Sequence, residues 1–186
     1  MDKHINAPIT KETVKDLHAG DYVYITGTIY TARDAAHKRM YEAMQQGQQP
    51  PIDLKDQIIY YLGPTPAREG QVIGSAGPTT SSRMDKYAPL LMQHGLSGMI
   101  GKGKRSPAVI EAMQENTCAY FAAVGGAGAL LSKCIKKAEV VAYEDLGTEA
   151  IRKLEVENLP AIVVIDQAGN NLYETAVEDY KKAHCL

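Results

Sequence analysis

Short apolar runs that stop at glycine or proline, alternating with stretches of helical spacing, constrain this chain more than any other feature. After the Gly20-Asp21 turn, Asp21 to Tyr30 carries Tyr22, Val23, Tyr24, Ile25 and Ile29, the pattern of a buried strand. Thr31 is a residue type that caps helices, and good helix formers follow it as far as Met44. Further strands are expected at Gln57 to Leu62, Gly98 to Gly101, Cys118 to Val124, Ala138 to Tyr143 and Ala161 to Ile165. Helical segments fall at Met84 to His94, from Ser106-Pro107 to about Asn116, and at Ala129 to Lys136. Near the start, Ile9 to Val14 reads as a strand running into a helical turn. Such alternation implies an α/β fold with a mixed or parallel sheet. No internal repeat or low-complexity linker interrupts it, so residues 1–186 are expected to form one domain.

Composition narrows the function classes. Hydrophobic residues make up 45% of the chain, enough for a proper core. There is no Trp and one Phe, Phe121, against 11 Tyr and 16 Gly, which favours tight turns and small-residue packing over a helix bundle. The formal net charge is −2 with both signs interspersed, so no nucleic-acid partner is expected. Cys118, Cys134 and Cys185 are odd in number and far apart, with neither a C-x-x-C pair nor a zinc pattern. A disulfide framework and an intrinsic metal site are therefore not expected, and a reducing cytoplasm is the natural compartment. Met1 to Lys11 has no apolar segment of a signal peptide, and no apolar run is long enough to cross a bilayer.

The chemistry gathers around Gly74-Ser75-Ala76-Gly77-Pro78-Thr79-Thr80-Ser81-Ser82-Arg83-Met84-Asp85. Gln71-Val72-Ile73 reads as the end of a short strand, Gly77-Pro78 as a turn, and the hydroxyls as the start of a helix. Helix starts carry unpaired N–H groups and suit anions, and Arg83 adds a fork of donors that matches a carboxylate. Taken alone, such hydroxyls are more often simple caps. Two other strand-to-loop junctions also present a cation: Arg33, with His37 on the same helix face, and Lys102 between Gly101 and Gly103. Ligands collect at the carboxyl ends of strands in α/β sheets, and convergent cations there fit a small dianion. A lone Arg or Lys is usually a solvated surface charge; three at comparable junctions say more. Gly125-Gly126-Ala127-Gly128, read as a close-packed loop, lacks the spacing of a dinucleotide loop, and Lys102-Gly103-Lys104-Arg105-Ser106 lacks that of a phosphate-binding loop.

Several of these blocks resemble a known family. Gly77 to Asp85, followed by Met99-Ile100-Gly101-Lys102-Gly103, is similar to the C-terminal domain of class I, iron–sulfur fumarases. Arg33-Asp34-Ala35-Ala36-His37 and Gly63-Pro64-Thr65-Pro66 resemble earlier blocks of that family. Glu155 to Ala161, then Asp166 and Gly169-Asn170, resemble its closing block. The blocks keep their order from about Ile9 to Glu174.

The resemblance implies a swivelling β/β/α domain with a mixed sheet flanked by helices. It also implies a separate β subunit of a fumarate hydratase or an L(+)-tartrate dehydratase, working with an α subunit in a heterodimer or heterotetramer. The oxygen-sensitive 4Fe-4S cluster would be bound by that α subunit and not by this chain, its open iron acting as Lewis acid. By the same resemblance Arg33, Arg83 and Lys102 would neutralise the carboxylates of a small dicarboxylate, with Thr80, or Ser81, as a further contact. Thr79 would be the base, and His37 and Asp34 would orient groups or relay protons. A free threonine is a very weak base, so that role demands activation by the cations and a helix N-terminus. Lys104-Arg105-Ser106 and Asp85 tilt the substrate towards fumarate and L-malate; Ser82 stands where many relatives have Gly. Tartrate dehydration to oxaloacetate, or a module that binds a dicarboxylate without chemistry, are the alternatives.

Overall fold

Two long antiparallel strands form the spine of the computed structural model, which describes residues 2–124 and 128–185. They are β2 (Tyr22–Thr31) and β7 (Ile151–Ile165), paired from Tyr22↔Ile162 to Thr31↔Arg152. A bulge between Ile25 and Gly27 interrupts the register. Gly27 has φ +126°, and a Cβ there would lie 2.1 Å from the Ala7 carbonyl oxygen, so close backbone approach dictates the glycine.

Each spine strand divides its other edge between two shorter strands. Along β2 these are β1 (Asp2–Ala7) and β3 (Ile58–Tyr60), both parallel to it. Along β7 they are β6 (Ile135–Ala142) and β5 (Ala119–Ala123), both antiparallel. β4 (Gly98–Gly101) joins β3 to β5 by parallel pairing. The ring β2–β3–β4–β5–β7 thus closes on itself, a five-stranded barrel within a seven-stranded mixed sheet. The mixed α/β fold expected above is the one observed.

Side-chain alternation splits the core in two. Ile58, Tyr60, Ile100 and Phe121 point into the barrel with Val23, Ile25 and Val163. Ile59, Tyr61, Met99 and Tyr120 join the opposite cluster, which includes residues of α2 (Asp34–Gln45), α3 (Ala88–Gln93) and α4 (Pro107–Asn116). Each large apolar side chain so buried contributes about 1.5–3 kcal/mol. Helix α2 buries Ala36, Met40 and Met44, one stripe at i, i+4 and i+8. Helix α4 starts as expected, with Ser106 Oγ accepting from Val109 N at 3.3 Å and Pro107 in the first turn.

Some boundaries differ from the sequence reading. The first strand is Asp2–Ala7, ahead of Ile9, and is followed by the short helix Lys11–Lys15. Only Ile5 and Ala7 of that strand are buried, so its apolar signal is too short to see. Thr31 ends β2 and is no cap; Arg33 takes the N-cap position of α2. Gln71-Val72-Ile73 forms no strand. The run Ala161 to Ile165 is only the end of β7, whose 15 residues begin with a charged, half-exposed stretch that includes Pro160. Gly125, Gly126 and Ala127 lie outside the described residues, and a short helix begins at Gly128. The chain ends in a helix, Leu172–Ala183, capped by Asn171. Among the described residues no helix is long and apolar enough to cross a membrane.

Candidate active site

The parallel strands β2, β3 and β4 lie side by side, so their carboxyl ends open onto one edge. Arg33 and Asp34 follow β2, Tyr61 to Gly63 follow β3, and Lys102 follows β4. The loop Gly74–Thr80 is fixed to the same edge by Thr79 N, which donates to Tyr61 O at 2.8 Å. Thr80 pairs with Lys102 as an isolated parallel bridge, and Ser81 N donates to Lys102 O at 2.9 Å. A one-turn 3-10 helix, Ser81–Met84, follows, and Thr80 makes no side-chain cap. The hydroxyl run therefore does not start an α-helix. The anion-binding helix N-terminus expected there is absent, and with it that means of activating Thr79.

The predicted residues do meet at this edge, through specific contacts. Arg83 forms an ion pair with Asp34 Oδ2, joining the 3-10 turn to the first turn of α2. Arg33 lies over Gly63, where a Cβ would stand 2.6 Å from Arg33 Cδ; its Nε is 3.9 Å from Glu149 Oε1. His37 is fully buried, and its Nδ1–H donates to Arg33 O at 2.8 Å. A carbonyl only accepts, so Nε2 carries the lone pair. Burial chiefly, with a smaller push from Arg105, lowers the His37 pKa to about 4 against the pull of that bond and of Asp34. The ring is neutral near pH 7. Thr79 is half-buried, while Thr80, Arg83 and Lys102 are exposed.

Four buried side-chain polar atoms lack a hydrogen-bond partner among the described residues, and three sit on one turn of α2. They are Arg33 Nε, Asp34 Oδ1 and His37 Nε2; the fourth is Gln57 Oε1. Buried polar atoms are nearly always paired, so a donor and two acceptors without a hydrogen-bond partner call for an ordered water, an ion or a polar ligand. Opposite charges and open hydrogen-bonding atoms at one strand edge can bind and orient a small anion that also carries a donor.

Beneath this edge lies a residue that the sequence reading used only within the Lys104-Arg105-Ser106 segment, as a mark of resemblance and not as a site residue. Arg105 is buried, with Nε donating to Asp85 Oδ1 at 2.7 Å and a terminal nitrogen to Tyr61 Oη at 3.1 Å. Its guanidinium carbon lies 5.2 Å from the Tyr61 ring centroid and 4.8 Å from that of Tyr120. Asp85 Oδ2 accepts from Ser106 N at 2.8 Å. Ser81, a possible ligand residue on sequence grounds, is also buried, and its Oγ lies 2.8 Å from Tyr120 Oη.

The cysteines do not assemble a metal site. Cys118 is packed in the core, where burial pushes its thiol up to about 12; Cys134 is half-buried and Cys185 exposed. Among the described residues no three His, Cys, Asp or Glu side chains are grouped to hold a metal ion. Among the described residues the cysteine side chains are thus not grouped as ligands of an iron–sulfur cluster.

The fold is that of a closed five-stranded barrel in a mixed α/β sheet, with cations and carboxylates gathered at three parallel strand ends. The particular family follows from sequence comparison: residues 2–176 match the family described as Fumarase C-terminus, and the chain belongs to it. An anaerobic class I fumarate hydratase of Escherichia coli is 43% identical over 155 residues, covering 82% of this chain and 28% of that protein. Fumarate hydratase 2 of Leishmania major is 39% identical over 173 residues, 91% of this chain and 30% of its own length. A Methanocaldococcus jannaschii protein with the provisional name L(+)-tartrate dehydratase subunit beta is 39% identical over 172 residues. That match covers 89% of this chain and 88% of that protein. The chain thus spans under a third of these fumarate hydratases and most of the beta subunit.

Proposed function

We propose that this chain is the β subunit of a two-subunit hydro-lyase that reversibly hydrates fumarate to L-malate in the cytoplasm. The observation that carries the reading is the cluster of open polar atoms on Arg33, Asp34 and His37 beside the accessible Arg83. The fumarate hydratases among its relatives support the reaction class. The relative named subunit beta supports an α partner, and in this reading that partner brings the 4Fe-4S cluster.

In this account Arg33, Arg83 and Lys102 bind the two carboxylates of the substrate and orient it. A substrate carboxylate competes with Asp34 for the Arg83 guanidinium, since that pair is open to solvent. The Thr79 Oγ, held as its alkoxide by the neighbouring cations because no helix N-terminus among the described residues faces it, takes the proton from the carbon to be deprotonated in L-malate and becomes a hydroxyl. Negative charge then gathers on the neighbouring carboxylate, where the cations meet it. The substrate hydroxyl departs with a proton from solvent as water, and in hydration both transfers run in reverse. Thr80 donates a hydroxyl hydrogen bond to the substrate. His37 holds the Arg33 carbonyl and so the start of α2, and Asp34 holds Arg83 until substrate arrives.

Tartrate dehydration is the second reading, favoured by the match over nearly the full length of the tartrate dehydratase relative. Anaerobic co-purification with the partner, followed by assays on fumarate, L-malate and L(+)-tartrate, separates the two. Fumarate hydration by the complex and not by the separated chain is the expected result. Turnover of L(+)-tartrate alone would transfer the site to the second reading. A complex that binds dicarboxylates and turns over none would leave a binding module.

A further inference from the structure

The two loops that carry Arg83 and Lys102 are fastened to each other by a buried clasp that no substrate contact explains. Tyr120 Oη donates to Gly103 O at 2.8 Å, because a carbonyl can only accept. With its one hydrogen used, Tyr120 Oη accepts from the Ser81 hydroxyl at 2.8 Å. Ser81 N donates to Lys102 O at 2.9 Å, and Thr80 and Lys102 pair as a parallel bridge. Gly101 lets these loops close: a Cβ there would stand 2.0 Å from Ser81 Oγ and 2.8 Å from Tyr61 Cδ2. Arg105, anchored by Asp85, packs its guanidinium 4.8 Å from the Tyr120 ring centroid and 5.2 Å from that of Tyr61.

From this geometry we infer that Tyr120 and Ser81 are positioning residues that set the spacing of the two substrate cations, Arg83 and Lys102, and thereby the chain length of the dicarboxylate the site accepts. The inference rests on the carboxylate-binding reading given above. Arg83 is two residues beyond Ser81, and Lys102 directly precedes Gly103, so both cations hang from the clasped backbone. Arg83 and Asp34 can adjust in the open, whereas the backbone beneath them is held by one buried and one part-buried hydrogen bond. A rigid clasp discriminates by length because a misplacement of about 1 Å can cost on the order of 100-fold in rate.

Tyr120→Phe removes the bridging hydroxyl and keeps the ring on Arg105. In the complex with its co-purified partner, inhibition of fumarate hydration by four-carbon succinate and five-carbon glutarate reads the spacing. The ratio of the two inhibition constants should move towards unity by about ten-fold in Tyr120→Phe and by a similar factor in Ser81→Ala. General loss of stability lowers the active fraction and leaves that ratio alone, so the ratio separates positioning from folding. A ratio equal to wild type in both variants overturns the clasp. A wild-type complex that turns over no dicarboxylate overturns the functional reading first, and this inference with it.

Discussion

Arg105 with Asp85 and Arg83 with Asp34 are the same chemical pair in opposite surroundings. The Arg105 and Asp85 side chains are 0% and 14% exposed; those of Arg83 and Asp34 are 54% and 30% exposed. Around the first pair the donors and acceptors are used: Asp85 accepts from Arg105 and from the Ser106 backbone, and Tyr61 Oη accepts from Arg105. Around the second, Asp34 Oδ1 and the neighbouring Arg33 Nε and His37 Nε2 have no hydrogen-bond partner among the described residues. Desolvated and satisfied, the inner pair is part of the frame. The outer pair is the more weakly held, and in the proposed reading a ligand carboxylate competes with Asp34 for Arg83.

The largest effect comes from breaking the inner pair. Arg105→Met strands Asp85 and should lower unfolding stability by about 3–5 kcal/mol, measured by urea titration of the chain. Wild-type stability in that variant would erase the distinction between the pairs.

Next in size is a pH effect at His37, whose ring touches both regions: it bonds the Arg33 carbonyl and lies 5.3 Å from the Tyr61 ring centroid. The unfolded chain protonates this histidine below its ordinary pKa of 6.5, the folded chain only near 4. The folded state is therefore undiminished above pH 6.5 and loses on the order of 3 kcal/mol as pH falls from 6.5 towards 4. His37→Gln should flatten that part of the stability profile; an unchanged slope would place its origin elsewhere.

A smaller wedge tests the close fit between the regions. Gly101→Ala presses a methyl group against Ser81 Oγ and the Tyr61 ring and should cost about 1–3 kcal/mol in thermal unfolding. Full stability would show that these loops yield.

The two pairs also explain what could be read without coordinates. The position of Arg33, Asp34, His37 and Lys102 is legible because they follow apolar runs at predictable strand ends, where parallel strands present their loops. That of Arg105 is not, since within Lys104-Arg105-Ser106 it reads as an exposed charge. Its burial depends on Tyr61, Asp85 and Tyr120, which reach it only through sheet pairing. The burial of Ser81 is hidden for a related reason: four adjacent hydroxyls look alike until the 3-10 turn buries one and exposes the next. The early part of β7 was hidden because half-exposed charged residues dilute its period-2 signal.

The smallest stability effect belongs to the outer pair, and it carries the most direct test. Arg83→Met should change unfolding stability by less than about 1 kcal/mol, because the Asp34 pair is solvent-exposed. In the reconstituted complex the same variant should lower kcat/KM for fumarate by about 100-fold, through loss of a charge-assisted contact to the substrate. Wild-type kcat/KM in a folded, assembled Arg83→Met complex would contradict the account.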